Sequence, residues 1–507
     1  MQISAIDLTR WRWLAFPVLI LIALMPQLLN PGGVGTDYYN HLAKVYIQAN
    51  IDTDPYLAAN YRIADAWVPH LAMDALLGWV NDADALYIAG WLFLVLTLFL
   101  MIFGSLVLSR SLHGYWSLLP FLAVPALYNE SLEWGFTNFL FSQALVLFLF
   151  PLWIASEKWR PLIRILLFSA LNILLYYSHV LGFLLFGYLF GLYELGRYLQ
   201  KDREPVLIWI RTLALKATQF VIPVFLILQS SVPTTPGRDG GVLETFVLSI
   251  ISPLGFVSPS LAILFLVTVV SLCFLARRKR LFAINPKMSY PLAGLALLVV
   301  IMPDYFFGVW GMNFRFAPML ILLLAGSVSV NGALSASHKL LGSAAALTIA
   351  LFLFLVHNQM HNISQLHKGA QAVLAEVEPG KSVITAFKSV PPSKYLTHIQ
   401  SLAVLESNAY ISSLFFDTSV VKPHPDRYNS AFPFWASRLN GKQITQANAL
   451  CAKPEGKRVA GRERWPEIFD YVLWIDHSPL ANRPEFLTPL TSEHLYHLYK
   501  IEEIPDC

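Results

Sequence analysis

Between Leu86 and Ser109 the chain carries no charged side chain. An α-helix needs roughly 20 apolar residues to cross the hydrocarbon of a bilayer, so a run of this length specifies a spanning helix. Similar runs near 11–29, 86–109, 115–128, 136–155, 162–178, 181–196, 213–230, 260–276, 288–303, 316–330 and 340–356 predict about eleven spans. The composition agrees. With 56% of residues hydrophobic, 14% aromatic and only 13% charged, there is more apolar surface than a soluble core could hide. No small-residue cleavage site follows the first run, which reads as a retained anchor rather than a signal peptide.

Cations set the expected orientation, because Lys and Arg beside spans favour the cytoplasm. Arg10 and Arg12, Arg110, Lys158 with Arg160 and Arg164, the stretch Arg197 to Lys216, "RRKR" at 277–280, and Lys339 fall in alternate loops. Those loops and the N-terminus are expected on the cytoplasmic side. An odd number of spans then puts 357–507 outside, together with a long first loop at 30–85. The expected organisation is a spanning domain over 1–356 and a small extracytoplasmic α/β domain over 357–507, in a cell membrane of the bacterial inner-membrane kind. The net charge of +4 reflects the loop bias, and no basic stripe points to nucleic acid.

In the tail, "KSVITAF" (381–387), "LAVLE" (402–406) and "FDYVLWID" (469–476) have the β-branched and aromatic character of strands. "ISQLHKGAQAVLAEVEPG" ahead of them has helical spacing and ends in Pro-Gly. The loop "SSVPTTPGRDGGVLETF" (230–246) has the Pro and Gly content of a mobile segment. Of three cysteines, Cys273 falls within a span, while Cys451 and Cys507 share the outer tail and are candidates for a disulfide there.

The polar groups that could do chemistry lie at the outer ends of spans. In "GTDYYNHLAKVYIQ", Thr36 can cap a helix on which Asp37, His41, Lys44 and Gln48 share one face. The helix dipole favours an ionised Asp37, a candidate general base, although an Asp in a first turn also serves simply as a cap. Asp54 before Pro55 is a plainer cap, and "WVPHLAMDALLGWV" reads as a surface helix. Glu130 and Glu133 in "LYNESLEWGFTN" share a helical face and could hold a divalent cation or a sugar hydroxyl, or merely be solvated. His179 in "YYSHVLGF" and Arg315 in "GMNFRFAPML" could bind phosphate; the alternatives are a polar belt residue and an Arg snorkelling to headgroups. Arg238 in the mobile loop is a weaker candidate of the same kind.

In order, "GTDYYNHLAK", the outer turn leading into "GFTNFLFSQALVL", "YYSHVLGF" and "NFRFAP" resemble the pattern of the GT-C superfamily, polytopic glycosyltransferases that use polyprenyl-phosphate-linked sugars. The resemblance covers about 11–356 and the placement of the tail. It implies Asp37 as the catalytic carboxylate and Arg315 with His179 as phosphate ligands, with His41 and Lys44 orienting the donor or tuning Asp37. The implied partners are a polyprenyl-phosphate-linked sugar donor, membrane lipids, and a glycan or lipid acceptor. No cofactor follows with certainty: Glu130 and Glu133 leave a divalent metal, Mg or Mn, open. The "WWDYG"-type signature of oligosaccharyltransferase-like members is missing, which counts against a metal requirement and a protein acceptor. Two rival readings are a secondary transporter or flippase, and a non-catalytic partner of envelope polysaccharide assembly.

Overall fold

The computed structural model describes residues 5–64, 68–200, 205–229, 247, 249–306, 309–331, 335–388, 394–414, 420–424, 438–445 and 465–502. Arg238, Cys451, Cys507 and the loop 230–246 lie outside them. Among the described residues seven helices are long and apolar enough to cross a membrane: Ala83–His113, Thr137–Lys158, Pro161–Ser178, Val180–Gln200, Val206–Gln229, Pro259–Arg278 and Ala336–Leu374. Three further expected spans are shorter apolar helices, Leu14–Leu29, Pro286–Ile301 and Ala317–Ser327. The run 115–128 departs from expectation. It holds a 3-10 helix, Leu119–Leu127, with Pro120 in its first turn and Pro125 inside. Prolines remove backbone donors, and a helix this short rises about 2 Å per residue, too little to cross roughly 30 Å of hydrocarbon.

The chain forms two compact units: Met1–Asn30, Pro69–Ala72 and Phe93–Met360 make one, and Pro31–Val68, Met73–Leu92 and His361–Cys507 the other. In the first, Thr137–Lys158 has 78% of its apolar window buried, against 11% for Val206–Gln229 and 17% for Pro259–Arg278. The first helix is therefore central and the other two are peripheral. Leu207, Leu228 and Phe274 of the peripheral helices point outward, as a lipid-facing surface requires. One buried polar cluster ties four helices. The Glu194 carboxylate accepts from Trp153 Nε1 at 3.1 Å and from Lys216 Nζ at 2.6 Å, and the Arg164 guanidinium lies 3.3 Å from the centroid of the Trp153 ring. Pairing is what makes such charges tolerable away from water.

The second unit carries a six-stranded mixed sheet. Its path runs Leu487–Glu493, Tyr496–Ile501, Tyr471–Ile475, Ser382–Phe387, Tyr410–Ile411, with Arg438–Asn440 also paired to Ser382–Phe387. Tyr471–Ile475 runs parallel to Ser382–Phe387, with Val472 opposite Ile384, and antiparallel to Tyr496–Ile501. Both of the central strands are buried along their length, which is why they read as β-branched and aromatic runs without polar alternation. "LAVLE" is not a strand. Leu402–Ser407 is a helix closed by Asn408 in the left-handed region, φ 52°, whose N–H returns to Ala403 and Val404 carbonyls. A short apolar run buried on nearly all sides has no period to distinguish the two states. The helical stretch before the sheet is the end of one long helix, Ala336–Leu374.

Candidate active site

In the second unit the polar segment after the first helix forms the expected helix, Asp37–Asn50, with Asp37 in its first turn. Thr36 occupies the capping position but makes no side-chain cap bond. Its hydroxyl instead donates to the Lys394 carbonyl at 3.2 Å and accepts from the His398 N–H at 3.0 Å, while its own N–H donates to Lys394 at 3.2 Å. That places His398 Nε2 3.4 Å from Asp37 Oδ1, with both residues buried. Asn40, one turn on, donates to the Ser413 carbonyl at 2.8 Å.

The expected polar face of this helix is present, but its members differ in environment. Asp37 and Lys44 are buried, while His41 and Gln48 are half-buried. Gln48 Nε2 donates to Asp74 Oδ1 at 2.7 Å. Burial pushes the Lys44 ammonium below the ordinary lysine value, and the carboxylates of Asp74 and Asp37 partly oppose that shift. Asp54 caps Pro55–Asn60 as expected, accepting from the N–H groups of Tyr56 and Leu57 at 2.8 and 2.9 Å. The predicted surface helix shrinks to Ala72–Leu77, among the described residues.

In the first unit Arg315 is buried rather than snorkelling. Its guanidinium carbon stands 4.0 Å from the centroid of Phe136 and 5.0 Å from that of Phe139, and Nη2 donates to the Trp310 carbonyl at 3.0 Å. Phe139 in turn meets the His179 ring edge-on at 5.4 Å. His179 Nδ1 accepts from the Leu181 N–H at 3.1 Å, so in the neutral ring Nε2 carries the proton. The structure thus brings Arg315 and His179 against one aromatic ring, Phe139.

Sequence reasoning missed two neighbours of His179. The His70 ring lies 4.0 Å from it, and the Asn138 amide donates to the His70 carbonyl at 2.7 Å. His70 has φ 77°, a left-handed conformation that costs a non-glycine residue energy and that no sequence pattern signals.

Glu130 and Glu133 lie on a one-turn helix, Glu130–Trp134, capped by Asn129, which accepts from Ser131 and Leu132 N–H groups. Glu130 accepts from Trp134 Nε1 at 3.0 Å, and the Trp134 ring meets Trp310 at 4.7 Å, beside Arg315. Glu133 is buried. Among the described residues no group of three His, Cys, Asp or Glu side chains is gathered closely enough to hold a metal ion. Glu130 and Glu133 bring two carboxylates to this turn, with Glu130 already bonded to the Trp134 indole. An apolar groove of about 560 Å³ also lies in this unit, lined among others by Phe16, Leu24, Leu28, Phe99 and Phe103.

No protein-family model matches the chain, and no curated protein matches it by sequence. Among solved structures, the crystal structure of ArnT from Cupriavidus metallidurans bound to undecaprenyl phosphate matches over 98% of this chain and 98% of that one. The TM-score is 0.55 and the sequence identity 12%. The chain therefore shares the fold of that structure. At this identity the likeness is one of architecture. It covers residues of both units.

Proposed function

We propose that this protein is a membrane glycosyltransferase that moves a sugar from a polyprenyl-phosphate-linked donor to a hydroxyl of a lipid or glycan acceptor on the outer face of the membrane. Asp37 is the general base. The observation that carries this reading is a buried carboxylate in the first turn of a helix, 3.4 Å from His398 Nε2 and acting electrostatically on Lys44, in a chain with the fold of the ArnT structure. The structural neighbour holds undecaprenyl phosphate, and the lipid donor proposed here is of that chemical class.

The reaction is a single displacement. Asp37 takes the proton of the acceptor hydroxyl, the oxygen forms a bond to the anomeric carbon, and the carbon–oxygen bond to phosphate breaks. The electron pair leaves with the polyprenyl phosphate, and the anomeric configuration inverts. Lys44 orients the donor beside Asp37, with His41 on the same face. Arg315 and His179 are the proposed phosphate ligands, because a planar guanidinium matches phosphate oxygens and the neutral His179 ring carries its proton on Nε2. The apolar groove of that unit suits an isoprenoid chain.

The test is a purified protein in nanodiscs given polyprenyl-phosphate sugars, with and without glycan or lipid acceptors. The expected result is acceptor-dependent release of polyprenyl phosphate with an inverted linkage in the product. Substrate movement across vesicles without any cleavage of the donor would replace this reading with the transporter.

A further inference from the structure

The segment Lys394–His398, more than 350 residues after Asp37 in the chain, is bonded to the backbone on which Asp37 stands. Three hydrogen bonds come from Thr36 alone: its N–H and hydroxyl both donate to Lys394, and its hydroxyl accepts from His398. A fourth tie comes from His367, whose Nδ1 lies 2.9 Å from the Gly32 carbonyl and whose Nε2 lies 3.1 Å from the Tyr395 carbonyl. His367 therefore bridges the residues just before Asp37 to the residues just before His398. It is itself fixed, because it is buried and its ring meets Tyr39 edge-on at 4.9 Å. The result is two short segments, Gly32–Asp37 and Lys394–His398, held in register at both ends, with the Asp37–His398 pair at one end.

Resting on the reading of Asp37 as the base, we infer that the C-terminal domain is a working part of the catalytic site and that His398 is the positioning residue for Asp37. The Nε2–H of His398 donates to Asp37 Oδ1. This fixes the carboxylate rotamer and with it the orientation of the base toward the acceptor hydroxyl. Thr36 serves the same end: its hydroxyl has given up helix capping to hold the strap. A hydroxyl bonded to a helix N–H would contribute only to the helix. Bonded to Lys394 and His398, it fixes the distance between the base and its partner.

The C-terminal domain thereby acquires a defined task. Its sheet is a platform from which the loop before Ile399 reaches the helix carrying Asp37. Misplacing a catalytic group by about 1 Å can cost about 10²-fold in rate, so the strap is expected to act on kcat rather than on donor binding.

Four variants of the full-length protein test this by the same release assay. His398→Ala is expected to lower kcat about 10- to 100-fold with donor KM within twofold of wild type, because the donor does not depend on the Asp37 rotamer. His398→Gln, which places an amide N–H near the position of Nε2, is expected to recover at least tenfold of that loss. Thr36→Val is expected to fall in kcat like His398→Ala, while Thr36→Ser keeps near wild-type activity. Recovery by Gln and by Ser is what a merely structural role would not show, since neither depends on packing volume.

If His398→Ala fails to fold, the Gln and Ser variants carry the test by themselves. Wild-type activity in His398→Ala, or equal losses in Ala and Gln with folding intact, overturns the inference. A fully active Asp37→Asn in the same assay would instead overturn the reading of Asp37 on which it rests.

Discussion

Replacing Arg315 separates two roles that its position allows. Its guanidinium donates to the Trp310 carbonyl and stacks over Phe136, so removing it affects folding: a hydrogen bond from a charged donor contributes about 1.5–3 kcal/mol, and a partly desolvated cation–π contact about 2 kcal/mol. If the guanidinium also neutralises the departing phosphate, losing it costs about 3–4 kcal/mol in the transition state, or about 10²–10³-fold in kcat/KM. Arg315→Met is thus expected to lower the thermal midpoint and to cut polyprenyl phosphate release per folded molecule by 10²–10³-fold. Arg315→Lys retains the charge but loses the planar fork and the aromatic stacking. It is expected to fall between the two in activity and to match Met in stability. The assay is donor-concentration dependence in nanodiscs, normalised to the folded fraction from a thermal melt. Lower midpoints with unchanged kcat/KM per folded molecule in both variants would refute the phosphate role and leave Arg315 as a clasp for Trp310 and Phe136.

Two further predictions concern the fold. Glu194→Ala strips the carboxylate from Lys216 and Trp153, leaving the half-buried Lys216 without its counter-charge; a cost of about 1.5–3 kcal/mol is expected, read as a fall in thermal midpoint, while Glu194→Gln should be milder because its amide oxygen still accepts from Trp153. Glu406, which accepts from Tyr87 Oη at 2.7 Å and from Gln371 at 3.2 Å, has its carboxyl raised above the ordinary value of about 4.3 by burial, so the native state holds its proton more tightly than the unfolded state does. Its contribution is then fully present below about pH 4.3 and falls as pH rises through the raised native value. Tyr87→Phe removes a bond that favours the carboxylate and should steepen this fall, measured by thermal midpoint against pH. A flat midpoint in both proteins would contradict it.

What the sequence carried well was whatever depends on local composition. Uncharged runs such as 86–109 became helices, because a chain in hydrocarbon has few ways to satisfy its backbone. The two central strands were legible from their β-branched and aromatic content. The helix Asp37–Asn50 and its polar face followed from spacing. What was not legible were features whose cause lies elsewhere in the chain. Residues 115–128 looked apolar enough to span, but two prolines hold them in a 3-10 helix. Leu402–Ser407 could not be told from a strand by period. Thr36 has the chemistry of a cap, and only the presence of Lys394 and His398 diverts its hydroxyl. His398 reaches Asp37 across a sequence separation that no local pattern spans, and the left-handed backbone of His70 leaves no mark on composition. Arg315 could be named as a candidate from its place before a span, but not its setting between Phe136, Phe139 and Trp310.

The account stands most directly on the Asp37 carboxylate. Wild type, Asp37→Asn and Asp37→Glu would be purified in nanodiscs, supplied with polyprenyl-phosphate sugars and an acceptor, and followed for polyprenyl phosphate release. The account predicts that Asp37→Asn falls by about 10³-fold or more with its thermal midpoint near wild type, and that Asp37→Glu retains measurable turnover. Release by a folded Asp37→Asn at the wild-type rate would contradict it.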